Sequence, residues 1–201
     1  LLGVHTHASE DVAGNDGTSI STSYAWLDST NQLAVTLDSG RVRTETRNAA
    51  GRMMIVAESG VVAGSPVTRT SRQYCDSAAR QRAGVDANGG RSYFFYDAKG
   101  RLEGTVDSTG AVSRNVYDGA DRVIQTIQYA NRVTTTAWLS GTSVTKAAFA
   151  DIGVVADSAN DRSQSATWDT AGRLATQGDA AGTITTYTYH GDHRLVQWPG
   201  H

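Results

Sequence analysis

Residues 96–123 read YDAKGRLEGTVDSTGAVSRNVYDGADRV, and residues 168–195 read WDTAGRLATQGDAAGTITTYTYHGDHRL. In the first stretch Tyr96-Asp97 recurs as Tyr117-Asp118, 21 residues on, and Arg101-Leu102 recurs as Arg122-Val123 at the same interval. In the second, Trp168 and Tyr189 are 21 apart, as are Arg173-Leu174 and Arg194-Leu195. A fainter copy lies upstream, where Arg80, Asp86 and Gly89 precede Arg101, Asp107 and Gly110 by 21. One period in separate stretches marks an internal repeat, in which each unit stacks on the next.

Each period holds two cassettes of the form Asp-x-x-Gly. One set comprises Asp97 to Gly100, Asp169 to Gly172 and the variant Asp118 to Asp121; the other comprises Asp86 to Gly89, Asp107 to Gly110 and Asp179 to Gly182. Asp at the first position of a type I turn accepts a hydrogen bond from the backbone two residues on. The fourth position needs a positive φ to rejoin the ladder, which Gly adopts freely and Asn or Asp tolerate next best. Asn31, in Asp28 to Asn31, and Asp121 follow that rule, and His193, in His190 to His193, follows it more loosely. These turn formers are the candidate site residues, and the role assigned to them is structural.

Runs of about six or seven residues, the common strand length, separate the cassettes. In RLEGTV, alternation puts Leu102, Gly104 and Val106 on one face. In RVIQTIQY it groups Val123, Gln125, Ile127 and Tyr129, and in GTITTYTY it sets Ile184, Thr186 and Thr188 against Thr185, Tyr187 and Tyr189. Both faces are semi-apolar, which suits a single curved sheet wetted on both sides and held by cross-strand pairs. The expected fold is all-β, an array of antiparallel hairpins that advances roughly 10 Å per period.

The array is expected over 21–129 and again over 167–201. Residues 1–20, rich in Gly, Ser, Asn and Asp, read as an irregular lead segment or frayed edge. Residues 130–166 break the register, because Arg122 and Arg173 are 51 apart. That segment reads as divergent or inserted, with AAFADIGVVADSANDR either a short helix or an excursion from the sheet.

Composition agrees with continuous sheet and tight turns: 21 Gly and only two Pro in 201 residues, with many Thr and Val. Net charge is −2, so no nucleic-acid partner is expected. Cys75 is the only cysteine, which excludes a disulfide within the chain. No apolar run is long enough to span a membrane as a helix. Opening on Leu1-Leu2-Gly3 without a signal-peptide pattern, the chain reads as a fragment or processed piece of something longer.

The pattern YDxxGRLxxxxDxxGxxxxxxYD at 96–123 and 168–195 resembles the YD repeats of Rhs proteins, of Tc-toxin shell components and of teneurins. The resemblance implies a hairpin array that spirals into a hollow shell or barrel. In polymorphic toxins such a shell encloses a C-terminal toxic domain, and in teneurins it forms an extracellular barrel used in adhesion. It implies a structural, non-enzymatic segment of a secreted or cell-surface bacterial protein. Its partners would be the remainder of the parent shell and an enclosed toxin domain. A glycan-binding adhesin module is the alternative. No Asp-Pro-rich autoprotease signature and no toxin tip is found, and with roughly six hairpins the chain would form one wall of the parent shell.

Other groupings give weaker signals. His5 and His7 would share one side of a strand as half of a metal site, but no Cys or acidic partner stands at ligand spacing, and exposed histidines are the favoured reading. His190 and His193 occupy cassette positions and read as turn formers. Glu10-Asp11 with Asn15-Asp16-Gly17 lacks the ligand order of an EF-hand and reads as an acidic loop. No nucleophile elbow accompanies the Ser, His and Asp residues, so catalysis is not expected. Cys75 follows Tyr74 where the repeat expects Asp and reads as a drifted repeat position. The aromatics Tyr24, Trp26, Tyr93, Tyr96, Tyr117, Tyr129, Trp138, Trp168, Tyr187, Tyr189 and Trp198 recur near strand ends, and their repeat register favours cross-strand packing over sugar stacking. No cofactor is expected.

Overall fold

The computed structural model describes residues 4–8, 12–13, 19–20, 23–27, 31–36, 41–47, 53–62, 65–141, 143–191 and 195–197. The chain divides into two compact units, Leu1–Arg91 and Ser92–His201. In the first, the strands are β1 (Val4–Ala8), β2 (Val12–Ala13), β3 (Ser19–Ile20), β4 (Ser23–Leu27), β5 (Gln32–Thr36), β6 (Val42–Arg47), β7 (Met53–Val62), β8 (Ser65–Cys75) and β9 (Gln81–Val85). Apart from the small β2–β3 hairpin, they form one antiparallel ladder in the order β1-β4-β5-β6-β7-β8-β9. Within the expected lead segment 1–20, Val4–Ala8 pairs with Ser23–Leu27 in unbroken register.

In the second unit, β10 (Arg91–Tyr96), β11 (Leu102–Val106), β12 (Val112–Tyr117), β13 (Val123–Gln128), β16 (Arg162–Trp168), β17 (Leu174–Gly178) and β18 (Ile184–Thr186) pair antiparallel in that order. Two short hairpins stand apart, β14 (Leu139–Ser140) with β15 (Ser143–Val144), and β19 (Thr188–Tyr189) with β20 (Leu195–Gln197). The fold is all-β, an array of antiparallel hairpins. Its only helix among the described residues is one 3₁₀ turn, Phe149–Ile152. No helix there is long and apolar enough to cross a membrane.

A second irregularity recurs with the turns. Phe95 pairs with Gly104 and Tyr96 with Leu102, which leaves Glu103 as an extra residue on β11. The same bulge falls at Arg82, Ile124 and Ala175. A bulge flips the face of every residue beyond it. Directly opposed residues share a face, so Leu102 lies with Tyr96 and opposite Gly104, and Val123 lies with Tyr117 and opposite Gln125. Simple alternation had grouped Leu102 with Gly104 and Val123 with Gln125; the bulges correct that grouping and explain why both faces read as semi-apolar.

The core also differs from a sheet wetted on both sides. The segment 129–161, between β13 and β16, folds back over one face of β10–β12. Tyr93, Phe95 and Val106 are fully buried beneath it, with Val112 nearly so. The segment contributes its own buried Trp138, Phe149 and Ile152. Trp138 meets Tyr93 and Phe95 edge-on at 5.3 and 6.1 Å, and Phe149 meets Phe95 edge-on at 6.2 Å. Phe149 lies against Gly104, where an added Cβ would come within 2.2 Å of its ring. The opposite face is polar, with Thr105 and Ser113 hydroxyls 2.7 Å apart and Thr126 donating to Asn115 at 3.2 Å.

Candidate functional site

The Asp-x-x-Gly cassettes are tight reversals. In each, the fourth residue's N–H donates to the carbonyl of the Asp: Gly89 to Asp86, Gly100 to Asp97, Gly110 to Asp107, Asp121 to Asp118, Gly172 to Asp169 and Gly182 to Asp179, at 2.9–3.3 Å. The fourth residue has a positive φ in every case, from 65° at Asp121 to 86° at Gly182. The Asp carboxylate then does a second job. One oxygen accepts from the N–H groups two and four residues on, at 2.9 Å each from Lys99 and Arg101 onto Asp97. Asp86, Asp107, Asp118, Asp169 and Asp179 repeat that pair of bonds.

One of the two cassette sets carries Arg at the fifth position, and there the turn becomes a latch. Arg101 donates Nε to the second oxygen of Asp97 at 2.7 Å. Its guanidinium carbon lies 4.5 Å from the ring centre of Tyr117, the aromatic that opens the next cassette. Tyr117 answers by donating its hydroxyl to the Leu102 carbonyl at 2.8 Å. Arg101 also reaches the Asp118 carbonyl at 3.2 Å and the Asp121 carboxylate at 2.6 Å. So Asp121, in place of Gly, adds a carboxylate that its predecessor's latch uses.

The unit repeats. Arg122 holds Asp118 at 2.7 Å and lies 5.4 Å from the Trp168 ring, whose indole N–H donates to the Val123 carbonyl at 3.3 Å. Arg173 holds Asp169 at 2.7 Å and lies 4.5 Å from the Tyr189 ring, whose hydroxyl donates to the Leu174 carbonyl at 2.9 Å. Arg173 reaches the His190 carbonyl at 3.5 Å, and His190 stands where the next cassette would have Asp. Each latch therefore ties one hairpin to the following strand, and Arg122 and Trp168 do so across the whole inserted segment because β13 and β16 are neighbours.

Sequence reasoning passed over one cassette and one function. Asp76, Ala79 and Arg80 form the same turn, with Ala79 at φ 66° and Arg80 donating Nε to Asp76 at 2.9 Å. Its signal was there, since each precedes its counterpart Asp97, Gly100 or Arg101 by 21, but Ala in the place of Gly hid it. The Arg recurs openly in the sequence, but pairing it to the next period's aromatic requires the strand register.

The electrostatics follow the geometry. At Asp118 the backbone N–H of Arg122 and then its side chain hold the carboxyl below the ordinary range. At Asp169 the backbone N–H of Arg173 does so, against partial burial and with help from the Arg173 side chain. At Asp107 the Thr109 hydroxyl is the first cause of the lowering. At Asp97 burial opposes the lowering, and the Arg101 side chain and backbone outweigh it. These carboxylates are occupied as hydrogen-bond acceptors.

His5 and His7 are in β1, but their side chains lie outside the described residues, as do Glu10, Asp11, Asn15 to Gly17, Asp28 to Thr30 and His193. Cys75 is a free, half-buried thiol at the end of β8. Among the described residues, no group of three or more His, Cys, Asp or Glu could hold a metal ion.

Fold and latch together define a class, the β-hairpin repeat array whose turns lock each hairpin to the next. Residues 168–197 match the family model described as RHS Repeat. Among solved structures, the crystal structure of TcdB2-TccC3-Cdc42 is similar at 13% identity and a TM-score of 0.29, covering 94% of this chain and 14% of that one. The crystal structure of TcdB2-TccC3-TEV is similar at 13% identity and a TM-score of 0.28, with the same coverage. The chain thus spans about 14% of the length of these structures. No curated protein matches it.

Proposed function

We propose that this chain is a wall segment of the β-shell of a secreted bacterial Rhs/YD-repeat protein, and that the parent shell encloses or presents a toxin domain. The observation that carries the reading is the latch. Arg101, Arg122 and Arg173 each bind the Asp of their own turn and the aromatic of the following strand. Such a contact propagates from one repeat to the next, as an extended wall requires. The role is structural: the carboxylates are engaged as acceptors and the apolar core is filled by Trp138 and Phe149. Residues 129–161 are an insertion within the array that supplies core to one face, and 162–166 belong to the array as part of β16.

The adhesin reading gains nothing from the geometry. The rings of Tyr117, Trp168 and Tyr189, which a sugar would stack on, are each covered by an arginine.

The full-length gene product tests the proposal by limited proteolysis. A domain downstream of the repeats should resist protease within the parent and lose that resistance when Arg101, Arg122 and Arg173 are replaced by Met. Digestion at the rate of the isolated domain in the unaltered parent would refute enclosure.

A further inference from the structure

The bulges give the sheet face opposite the clamp an apolar end. Because each bulge inverts the alternation, Val123 and Leu174 lie on the same face as Thr126, Gln164, Ala166 and Gln177. Two hollows adjoin there. The first, of about 180 Å³, runs over Val123, Ile124, Ala166, Leu174 and Gln177. The second, of about 120 Å³, lies among Gln128, Arg162 and Ala180. Thr126 and Gln164 line both, so the hollows join into one groove across β13, β16 and β17.

The two ends of the groove differ in chemistry. Aliphatic side chains of Val123, Ile124, Ala166 and Leu174 dominate one end. At the other, Gln128 and Arg162 are direct cross-strand partners, as are Thr126 and Gln164 two residues along. Arg162, Gln128 and Gln164 are exposed, and their side chains make no hydrogen bond or ion pair among the described residues. The nearest acids in sequence are engaged elsewhere. Asp161 accepts from the N–H groups of Ala130 and Asp157 at 2.8 and 2.9 Å, and Asp179 accepts from those of Ala181 and Thr183 at 2.9 Å each. Arg162 is therefore the one charged group among the described residues that line the groove, and two carboxamide donors flank it.

A guanidinium with adjacent amide N–H donors suits a carboxylate, which accepts bonds on both oxygens. An apolar trough with a few placed polar groups at one end suits an elongated ligand with one polar head. We propose that this groove binds a medium-chain aliphatic carboxylate, with its head on Arg162, Gln128 and Gln164 and its chain over Ile124, Ala166 and Leu174. From Arg162 to Ala166 the strand advances about 13 Å. A zigzag chain of about eight to ten carbons, with bonds of about 1.5 Å, covers that distance. This site does not depend on the shell: it lies within β13, β16 and β17 of the chain itself.

Amide shifts of the ¹⁵N-labelled 201-residue chain test it, with octanoate, acetate and octanol as probes. Octanoate should bind with a dissociation constant of about 1 mM or below. Its shifts should centre on Thr126, Gln128, Gln164 and Ala166. Acetate, which lacks the chain, and octanol, which lacks the charge, should each bind at least about tenfold more weakly. Arg162→Gln should lower octanoate affinity about tenfold and leave octanol unchanged. Ala166→Asp should weaken octanoate and octanol alike by placing a charge under the chain. Arg162→Gln removes no bond within the fold, so its melting temperature should match the parent's. Absence of shifts at about 10 mM octanoate would overturn the proposal, as would Arg162→Gln binding octanoate like the parent. Equal affinity for acetate and octanoate would also overturn it, because the anion alone would then account for the binding.

Discussion

At the scale of the residue, a turn is set by a carboxylate that saturates the backbone and a fourth position that accepts a positive φ. Gly100 has φ 84°, so Gly100→Val should destabilise by about 1–2 kcal/mol, the cost of a Cβ in the left-handed region. The surroundings then separate otherwise equal glycines. A Cβ at Gly182 meets nothing within 4 Å, whereas one at Gly110 would come within 2.2 Å of the Val133 carbonyl oxygen. Gly110→Ala should therefore cost clearly more than Gly182→Ala in urea melts, and equal costs would contradict the packing of Val133 on that turn. The latch arginine is a planar donor that binds a carboxylate and covers a ring together, which an ammonium group does not reproduce. Arg173→Lys should leave the Asp169 turn formed but loosen Tyr189 from Leu174. Hydrogen exchange should accelerate at Tyr187, which donates its N–H to Ala175, and remain unchanged at Tyr93.

At the scale of the element, the inserted segment behaves as a clamp whose anchor is one ring on one glycine. Phe149→Ala should cost about 3–5 kcal/mol, the range for emptying a buried aromatic site. Gly104→Ala should cost about 1–3 kcal/mol by overpacking against the same ring. In the Phe149→Ala background the Gly104→Ala penalty should fall toward zero, since the clash is removed; additive melts would show that the ring and the glycine do not share a site. The elements differed in how far the sequence disclosed them. Hairpins and turns were legible because Asp and Gly are demanded by local backbone geometry, and their spacing repeats. Faces were not, because the bulges at Glu103, Ile124 and Ala175 carry no residue type that announces them. The clamp was visible only as a break in period, since Trp138 and Phe149 find their partners through tertiary contact. Within the latch, Asp and Gly could be read as a turn, whereas the step from Arg101 to Tyr117 needed the register of adjacent strands.

At the scale of the whole molecule, stability in an array is close to a sum over repeats, so a small term repeated along the chain becomes a property of the protein. The turn carboxylates provide such a term. Asp76, Asp97, Asp107, Asp118 and Asp169 all titrate below their ordinary value of 3.8 in the folded chain. A carboxyl whose folded pKa is depressed stabilises the fold above its unfolded pKa and loses that contribution as pH falls through the folded value. The chain should therefore show little change in stability from neutral pH to about 5 from these groups, and should weaken progressively below about 4. Urea midpoints measured from pH 7 down to 2 check this, and a midpoint that stays level or rises below pH 4 would contradict it. Asp97→Asn, Asp118→Asn and Asp169→Asn should each lower the midpoint at pH 7 and flatten its fall in acid, because an amide offers one acceptor oxygen that no longer titrates. If the three substitutions add, the latches act independently along the array. If the second and third cost more than the first, neighbouring latches support one another through shared contacts such as Arg101 with Asp118 and Asp121.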